Sequence, residues 1–139
     1  MQVKDVMVRD VATLDIDDEL SLANDIMKLG RIRHLPVVSG KKLVGILSER
    51  DLFRSSLVEA IGHEPTKTRE FMKAIRIQDI MVKNLITLAP EADIREAVKL
   101  MLTHKIGCIP VVAKEELLGL ITETDILRLY LEQLSAASP

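Results

Sequence analysis

Apolar residues recur at intervals of three and four along two stretches of the chain, which is the spacing of a helix with one buried face. The positions are Leu20, Ala23, Ile26 and Met27 in the first stretch, and Ile94, Ala97, Val98 and Met101 in the second. Acidic residues or a proline precede both stretches, as at helix starts, in Asp17-Asp18-Glu19 and Pro90-Glu91. Each stretch is therefore predicted to form an amphipathic helix.

Two short, continuously apolar runs follow each predicted helix and read as strands of a hairpin, because their connectors are short and polar. The runs are Leu35–Val38 with Leu43–Leu47, and Ile109–Ala113 with Leu117–Ile121. Since they do not alternate with polar residues, we expect both faces of these strands to be covered. An extended piece opens each half and a second helix closes it, at Val11–Leu14 with Glu49–Val58 and at Leu85–Leu88 with Glu123–Leu134.

The two halves are copies of each other. Val3–Arg54 aligns without a gap onto Ile77–Arg128, and sixteen of the 52 positions are identical. The predicted fold class is α/β, in an α+β sandwich-like form, with two β-α-β-β-α repeats related by a pseudo-twofold axis. The predicted boundaries are 1–56 for the first repeat, 57–76 for a connector, 77–134 for the second repeat and 135–139 for a C-terminal tail.

Composition narrows the function class. The chain has 139 residues, a net charge of −2 and only 2% aromatic residues, which disfavours nucleic acid as a partner. No apolar run approaches the length of a membrane span, and the N-terminus lacks the apolar core of a secretory signal. A single cysteine fits a reducing compartment. We therefore expect a soluble cytoplasmic protein without membrane insertion.

The sharpest motif is Gly, two aliphatic residues, Ser or Thr, two variable residues and Asp. It occurs as Gly45–Asp51 and again as Gly119–Asp125, where a predicted strand gives way to a helix. The glycine allows close approach to the backbone. The hydroxyl and the N–H groups at the helix start suit a phosphate, and the two carboxylate oxygens of Asp suit the vicinal hydroxyls of a ribose. This pattern indicates nucleotide binding.

A second interpretation of the same residues involves no ligand. A hydroxyl followed three residues later by a carboxylate is close to a capping box, in which both side chains satisfy backbone N–H groups at the helix start. Capping by itself does not require the upstream glycine. The repetition of that glycine in both copies favours the nucleotide interpretation.

With Asp5-Val6-Met7 and Asp79-Ile80-Met81 as openings and a Pro-Val-Val strand in each half, the tandem motif resembles a pair of CBS (cystathionine-β-synthase-type) domains. The resemblance implies two clefts that bind adenosyl compounds such as AMP, ADP, ATP or S-adenosylmethionine, with no required cofactor. It also implies a homodimer in the form of a flat four-domain disc.

The resemblance assigns residues to the two clefts position by position. Asp51 and Asp125 correspond to the ribose-binding Asp of the family, and Ser48 and Thr122 to its hydroxyl. The remaining candidates are the opening-strand threonines, the residues at the strand entrance and the motif glycines: Thr13, Arg33, His34, Pro36, Gly45, Thr87, Cys108, Pro110 and Gly119. No metal site and no catalytic residue is expected.

The two strand entrances differ. The first copy has Arg31, Arg33 and His34 where the second has Lys105, Gly107 and Cys108. The first cleft should therefore prefer more phosphates than the second. The sequence contains neither a Walker motif nor a cluster of carboxylates for Mg²⁺, so it does not support an enzyme acting on nucleotides. The function expected is a stand-alone regulatory and signal-transduction module that transmits ligand binding to an unidentified partner protein. The alternative is a ligand-free dimerisation scaffold.

Overall fold

The structure is a computed structural model that describes the backbone of residues 1–60 and 73–137. After a short 3-10 helix at Val3–Asp5, the first half contains β1 (Leu14–Asp15), α1 (Leu20–Gly30), β2 (His34–Ser39), β3 (Lys42–Ser48) and α2 (Glu49–Ala60). The second half contains α3 (Ile77–Ile80), α4 (Ile94–His104), β4 (Cys108–Ala113), β5 (Glu116–Thr122) and α5 (Glu123–Ala137).

The predicted α+β class is confirmed, and both halves run helix, strand, strand, helix in the predicted order. The opening strands are shorter than predicted. In the first half β1 covers two residues, and in the second half the equivalent is a single parallel bridge between Leu88 and Val111. The predicted connector falls partly on residues 61–72, which lie outside the described residues, so the proposed domain boundaries stay a prediction.

The two hairpins share one register. In the first, β2 and β3 are antiparallel with Pro36 opposite Ile46, and in the second β4 and β5 are antiparallel with Pro110 opposite Leu120. The register shifts by one residue at equivalent places, between Val37 and Val38 and between Val111 and Val112. Consecutive buried residues on all four strands agree with the predicted coverage of both faces.

The chain forms two compact units that differ from the two sequence repeats. One unit is residues 12–85, and the other combines residues 1–11 with 86–139. Ile77, from the start of the second repeat, is fully buried in the core of the first unit. Val3 and Met7, from the start of the first repeat, lie in the core of the other. Each repeat therefore contributes its opening segment to the core built by the other repeat.

Backbone hydrogen bonds hold each opening segment beside a hairpin strand. Val82 and Ile46 exchange N–H···O bonds of 2.8 and 3.0 Å, and Val8 and Leu120 exchange bonds of 2.8 and 2.9 Å. Each motif glycine lies next to the strand residue that makes these hydrogen bonds, where the opening segment passes over the strand. A Cβ on Gly45 would meet the Met81 side chain, and a Cβ on Gly119 would meet the carbonyl oxygen of Val8. The glycine makes room for a segment of the protein itself.

The buried opening residue carries a stability prediction. Ile77→Ala removes a fully buried side chain, and the resulting cavity should lower the free energy of unfolding by about 2–5 kcal/mol. Val82→Ala, on the same segment but 48% exposed, should change it by at most about 0.5 kcal/mol. Urea denaturation measures both variants. Equal effects would contradict the burial of this segment in the first core.

The two motif glycines should respond unequally to alanine. At Gly119 the added methyl meets backbone, which cannot move without breaking the Val8 bridge, whereas at Gly45 the nearest atoms belong to the flexible Met81 side chain. Gly119→Ala should therefore destabilise by about 1–3 kcal/mol, and Gly45→Ala by less. Thermal denaturation of the two variants tests the order, and a larger loss for Gly45→Ala would reverse the argument.

Candidate functional site

The first candidate site lies where β3 runs into α2 without a loop. Ser48 ends the strand and Asp51 occupies the third position of the helix. The Ser48 hydroxyl donates to Asp51 Oδ2 at 2.7 Å and accepts the Asp51 backbone N–H at 3.1 Å. The strand fixes the hydroxyl, and the first helical turn brings the carboxylate back to it, as sequence spacing predicts.

The second candidate site repeats this arrangement where β5 runs into α5. The Thr122 hydroxyl and backbone N–H both donate to Asp125 Oδ2, each at 2.9 Å, and the Asp125 N–H donates to Thr122 Oγ1 at 3.4 Å. Asp125 is the one charged side chain that is buried among the described residues, with 6% exposure. Arg128, three residues along the helix, donates from Nη1 to Asp125 Oδ1 at 3.4 Å.

The capping interpretation is therefore realised at both helix starts, completely so at Thr122, where the carboxylate reaches back to the N-cap N–H. Oδ2 of Asp125 accepts both the N-cap N–H and the Thr122 hydroxyl, whereas Oδ2 of Asp51 accepts the Ser48 hydroxyl. Oδ1 of Asp51 accepts no hydrogen bond from the described part of the chain, and Oδ1 of Asp125 accepts only the long one from Arg128. Each carboxylate thus keeps acceptor capacity for a further donor.

Few helix N–H groups remain for a phosphate. The Glu49 N–H donates to the Arg33 carbonyl at 2.7 Å, and the Glu123 N–H donates to the Gly107 carbonyl at 3.0 Å. The third N–H of each helix is held by the hydroxyl cap. The N–H groups of Arg50 and Thr124 are left as the donors of the first turn. The expected N–H donors at the helix starts are therefore reduced to one in each first turn.

The strand-entrance residues do lie beside the motif. His34 is directly opposite Ser48 across the hairpin, and Cys108 is directly opposite Thr122. The carbonyl bonds from Glu49 and Glu123 hold Arg33 and Gly107 against the starts of α2 and α5. Each unit therefore gathers its own entrance, hydroxyl and carboxylate residues at one place.

Other predicted site residues lie apart from this group or are enclosed. The side chains of Thr13 and Thr87 are exposed, each just before the residue that pairs with the middle of a hairpin strand. Pro36 and Pro110 are fully buried within β2 and β4. Gly45 and Gly119 face the crossing segments, so this contact supplies a reason for both glycines that needs no ligand. Their roles in binding stay predictions.

Two contacts were missed by sequence reasoning. Glu123 lies over Gly107, close enough that a Cβ there would be 3.2 Å from Glu123 Oε1. Arg128 contacts Asp125, and its identity with Arg54 in the alignment, three residues after the motif Asp in both copies, was the available signal.

Cys108 is a buried thiol and not a reactive one. Burial, with a smaller contribution from the negative charge of Asp125, raises the pKa of Cys108 to about 12. The thiolate, which is the nucleophile, is therefore scarce at neutral pH. No group of three or more His, Cys, Asp or Glu side chains that could hold a metal occurs within residues 1–60 and 73–137. In the same ranges no helix has the length and apolar character needed to cross a membrane.

The shifted thiol predicts an alkaline stability profile. The folded protein keeps Cys108 protonated up to a pKa of about 12, whereas an unfolded cysteine ionises near pH 8.5. Ionisation thus favours the unfolded chain in the window between these values, and the thiol's contribution to stability falls by up to ~1.4 kcal/mol per pH unit. Cys108→Ala should lose stability less steeply than the unmodified protein between pH 9 and pH 11, as measured by urea denaturation. Parallel profiles would contradict the shift.

Comparison with known proteins places the chain in a family. The sequence model of the CBS domain matches residues 3–58 and again 77–132. Among curated relatives, inosine-5′-monophosphate dehydrogenase of Korarchaeum cryptofilum is 35% identical over 121 residues, covering 86% of this chain and 22% of the enzyme. The chain spans 22–24% of the length of this and the next enzymes that it matches.

Solved structures agree with this match. The Vibrio cholerae protein AcuB, provisionally assigned to acetoin utilization, superposes with a TM-score of 0.82 and 32% identity, covering 100% of this chain and 98% of that one. The CBS domain pair of protein MJ0100 was crystallised with 5′-methylthioadenosine and S-adenosyl-L-methionine. It superposes with a TM-score of 0.78 and 26% identity, covering 94% of this chain and 99% of that one. With both repeats matched and the fold shared, the chain belongs to the CBS domain family.

Proposed function

We propose that this chain is a regulatory module that binds adenosyl compounds, one at each motif. The observation that carries the proposal is the repeated arrangement of a Ser or Thr hydroxyl and an Asp carboxylate at a helix start, with one carboxylate oxygen not used by the cap. The complex of the MJ0100 pair with two adenosyl compounds supports the ligand class.

In this proposal Asp51 and Asp125 accept hydrogen bonds from the ribose hydroxyls. Oδ1 of Asp51 is available without rearrangement, whereas Oδ1 of Asp125 is released when Arg128 turns outward into solvent, where most of its side chain already lies. His34 and Cys108, beside the hydroxyls, flank the part of the ligand beyond the ribose. AMP, ADP, ATP and S-adenosylmethionine all carry this ribose, so they form the candidate ligand set.

We further propose that binding is read out by a partner protein and not by catalysis in this chain. Allosteric control of this kind requires the ligand to bind one conformation more tightly, with a coupling of ~1–3 kcal/mol. The enzymes related to this chain carry the matching segment as about a quarter of their length, so their activities do not transfer to it.

The last helix supports the proposed homodimer. α5 exposes four large side chains at helical spacing, namely Leu127, Tyr130, Leu131 and Leu134. Four such residues on one helix make a contiguous apolar surface of the kind that mediates association. The same surface also serves the alternative function, a dimerisation scaffold without ligand, and the completed capping box at Thr122 and Asp125 favours that alternative.

Calorimetric titration with AMP, ATP and S-adenosylmethionine separates the two functions. The unmodified protein should bind at two sites, and Asp51→Ala or Asp125→Ala should each weaken one site by about 10- to 150-fold, because a charged acceptor contributes ~1.5–3 kcal/mol. A ligand at 100 times its Kd should also raise the free energy of unfolding by ~2.7 kcal/mol.

Asp93→Ala serves as the control for the effect of losing a helix cap. Asp93 caps α4 by accepting the Arg95 N–H at 2.8 Å, and the Arg95 guanidinium holds the pKa of this carboxyl well below its usual range. The control should lose the stability of its own helix cap, as the motif variants do at theirs, but should keep both titrations. If none of the three ligands binds, the dimerisation scaffold is the function that remains.

A further inference from the structure

The two motifs are built alike but are surrounded by different charges. At residues 33–34 and 48–54 the first unit carries three arginines (Arg33, Arg50 and Arg54) against two carboxylates (Glu49 and Asp51). At the equivalent residues 107–108 and 122–128 the second unit carries one arginine against two carboxylates, because glycine replaces Arg33 and Thr124 replaces Arg50. The net formal charge is therefore +1 at the first motif and −1 at the second.

The two motifs differ more in their unpaired positive charges than in their net formal charges. Arg33, Arg50 and Arg54 are exposed, and none of them takes part in the ion pairs that the described residues Asp93 and Asp125 make. In the second unit the one arginine, Arg128, is already directed to Asp125. Where the first unit has the Arg33 side chain, the second has the Glu123 carboxylate lying over Gly107. An anion approaching the second motif thus meets a carboxylate and no free arginine.

Side-chain charge decides phosphate binding here because the backbone contributes little. Capping and the carbonyl bonds of Arg33 and Gly107 occupy most N–H donors of the first turn in both helices. One N–H group remains at each start, so the backbone does not distinguish the two units. A phosphate needs several charge-assisted donors, and arginine is the side chain best suited to supply them.

We infer that the two motifs take different adenosyl ligands: the Asp51 motif a phosphorylated one such as AMP, and the Asp125 motif one without phosphate, such as 5′-methylthioadenosine or S-adenosylmethionine. The inference rests on the proposed adenosyl binding. Arg33 and Arg50 are the specificity-determining residues of the first motif, and Glu123 over Gly107 sets the preference of the second. A module of this kind compares two metabolite classes within one chain.

The test measures AMP against 5′-methylthioadenosine at each motif separately, by calorimetry. Asp125→Ala leaves the first motif intact and Asp51→Ala the second. The first motif should bind AMP about tenfold more tightly than 5′-methylthioadenosine, and the second should show the reverse order, since each exposed charge pair changes affinity by up to about fivefold. The preference should diminish at 0.5 M salt, where the Debye length is only about 4 Å.

Exchanging the arginines makes the test specific. With Asp125→Ala present, Arg33→Gly combined with Arg50→Thr should weaken AMP binding by about five- to twentyfold and change 5′-methylthioadenosine binding by less than about twofold. With Asp51→Ala present, Thr124→Arg should strengthen AMP binding several-fold. All three positions are exposed, so the fold should be retained. Lys28→Thr combined with Lys99→Thr removes two positive charges elsewhere on the surface and should leave both preferences unchanged.

The outcomes separate this inference from the proposed function. Equal ratios of AMP to 5′-methylthioadenosine affinity at the two motifs, or an arginine exchange that weakens both ligands alike, would overturn the division of ligands while leaving adenosyl binding in place. Failure of every adenosyl compound to bind would overturn the proposed function, and this inference with it. Opposite preferences that follow the arginines would establish it.

Discussion

The structure depends on two pairs of backbone hydrogen bonds, those between Val8 and Leu120 and between Val82 and Ile46. They attach each opening segment to the hairpin of the other repeat, next to a glycine whose missing side chain leaves the space. Once this attachment is made, Val3 and Ile77 are carried into cores that their own repeats do not build. The burial of these residues and the close approach at Gly45 and Gly119 are thus consequences of one constraint, and a side chain at either glycine opposes all of them.

The helix starts serve two purposes with the same atoms. A hydroxyl and a carboxylate three residues apart complete the hydrogen bonds of a helix terminus, and in the proposed function they also present acceptors to a ribose. In this structure the cap takes one carboxylate oxygen and leaves the other. Capping and binding are therefore compatible, since an oxygen that holds the helix start also orients its partner oxygen. Rigid placement of that second oxygen lowers the entropy lost when a ligand is bound.

Periodicity predicted the helices, both hairpins and the α+β class, because burial of one helix face and of continuous strands leaves a direct trace in residue order. The exchange of opening segments left no such trace. Val3 and Ile77 are equivalent in the alignment and similar in shape, so the pattern cannot tell which core each one enters. The motif residues were located correctly at the helix starts. Whether a carboxylate only caps the helix or can also bind a ligand depends on which of its oxygens accepts a hydrogen bond, and residue spacing does not determine this. The close approach at each motif glycine is equally invisible in the spacing, since the group that approaches the glycine comes from a distant part of the chain.

The discontinuity of one unit has a consequence for how the protein is made. Residues 12–85 are contiguous, so that unit possesses all of its segments as soon as residue 85 has left the ribosome. The other unit joins residues 1–11 to 86–139, so the contacts of its N-terminal segment can form only after the residues that follow residue 85 have been made. Closing so long a loop adds little to the equilibrium cost, because that cost grows only logarithmically with length, but it delays the contacts that depend on it. Synthesis from the N-terminus therefore supplies every segment of the Asp51 unit first, and the Asp125 unit is completed only when residues 1–11 meet residues made after residue 85.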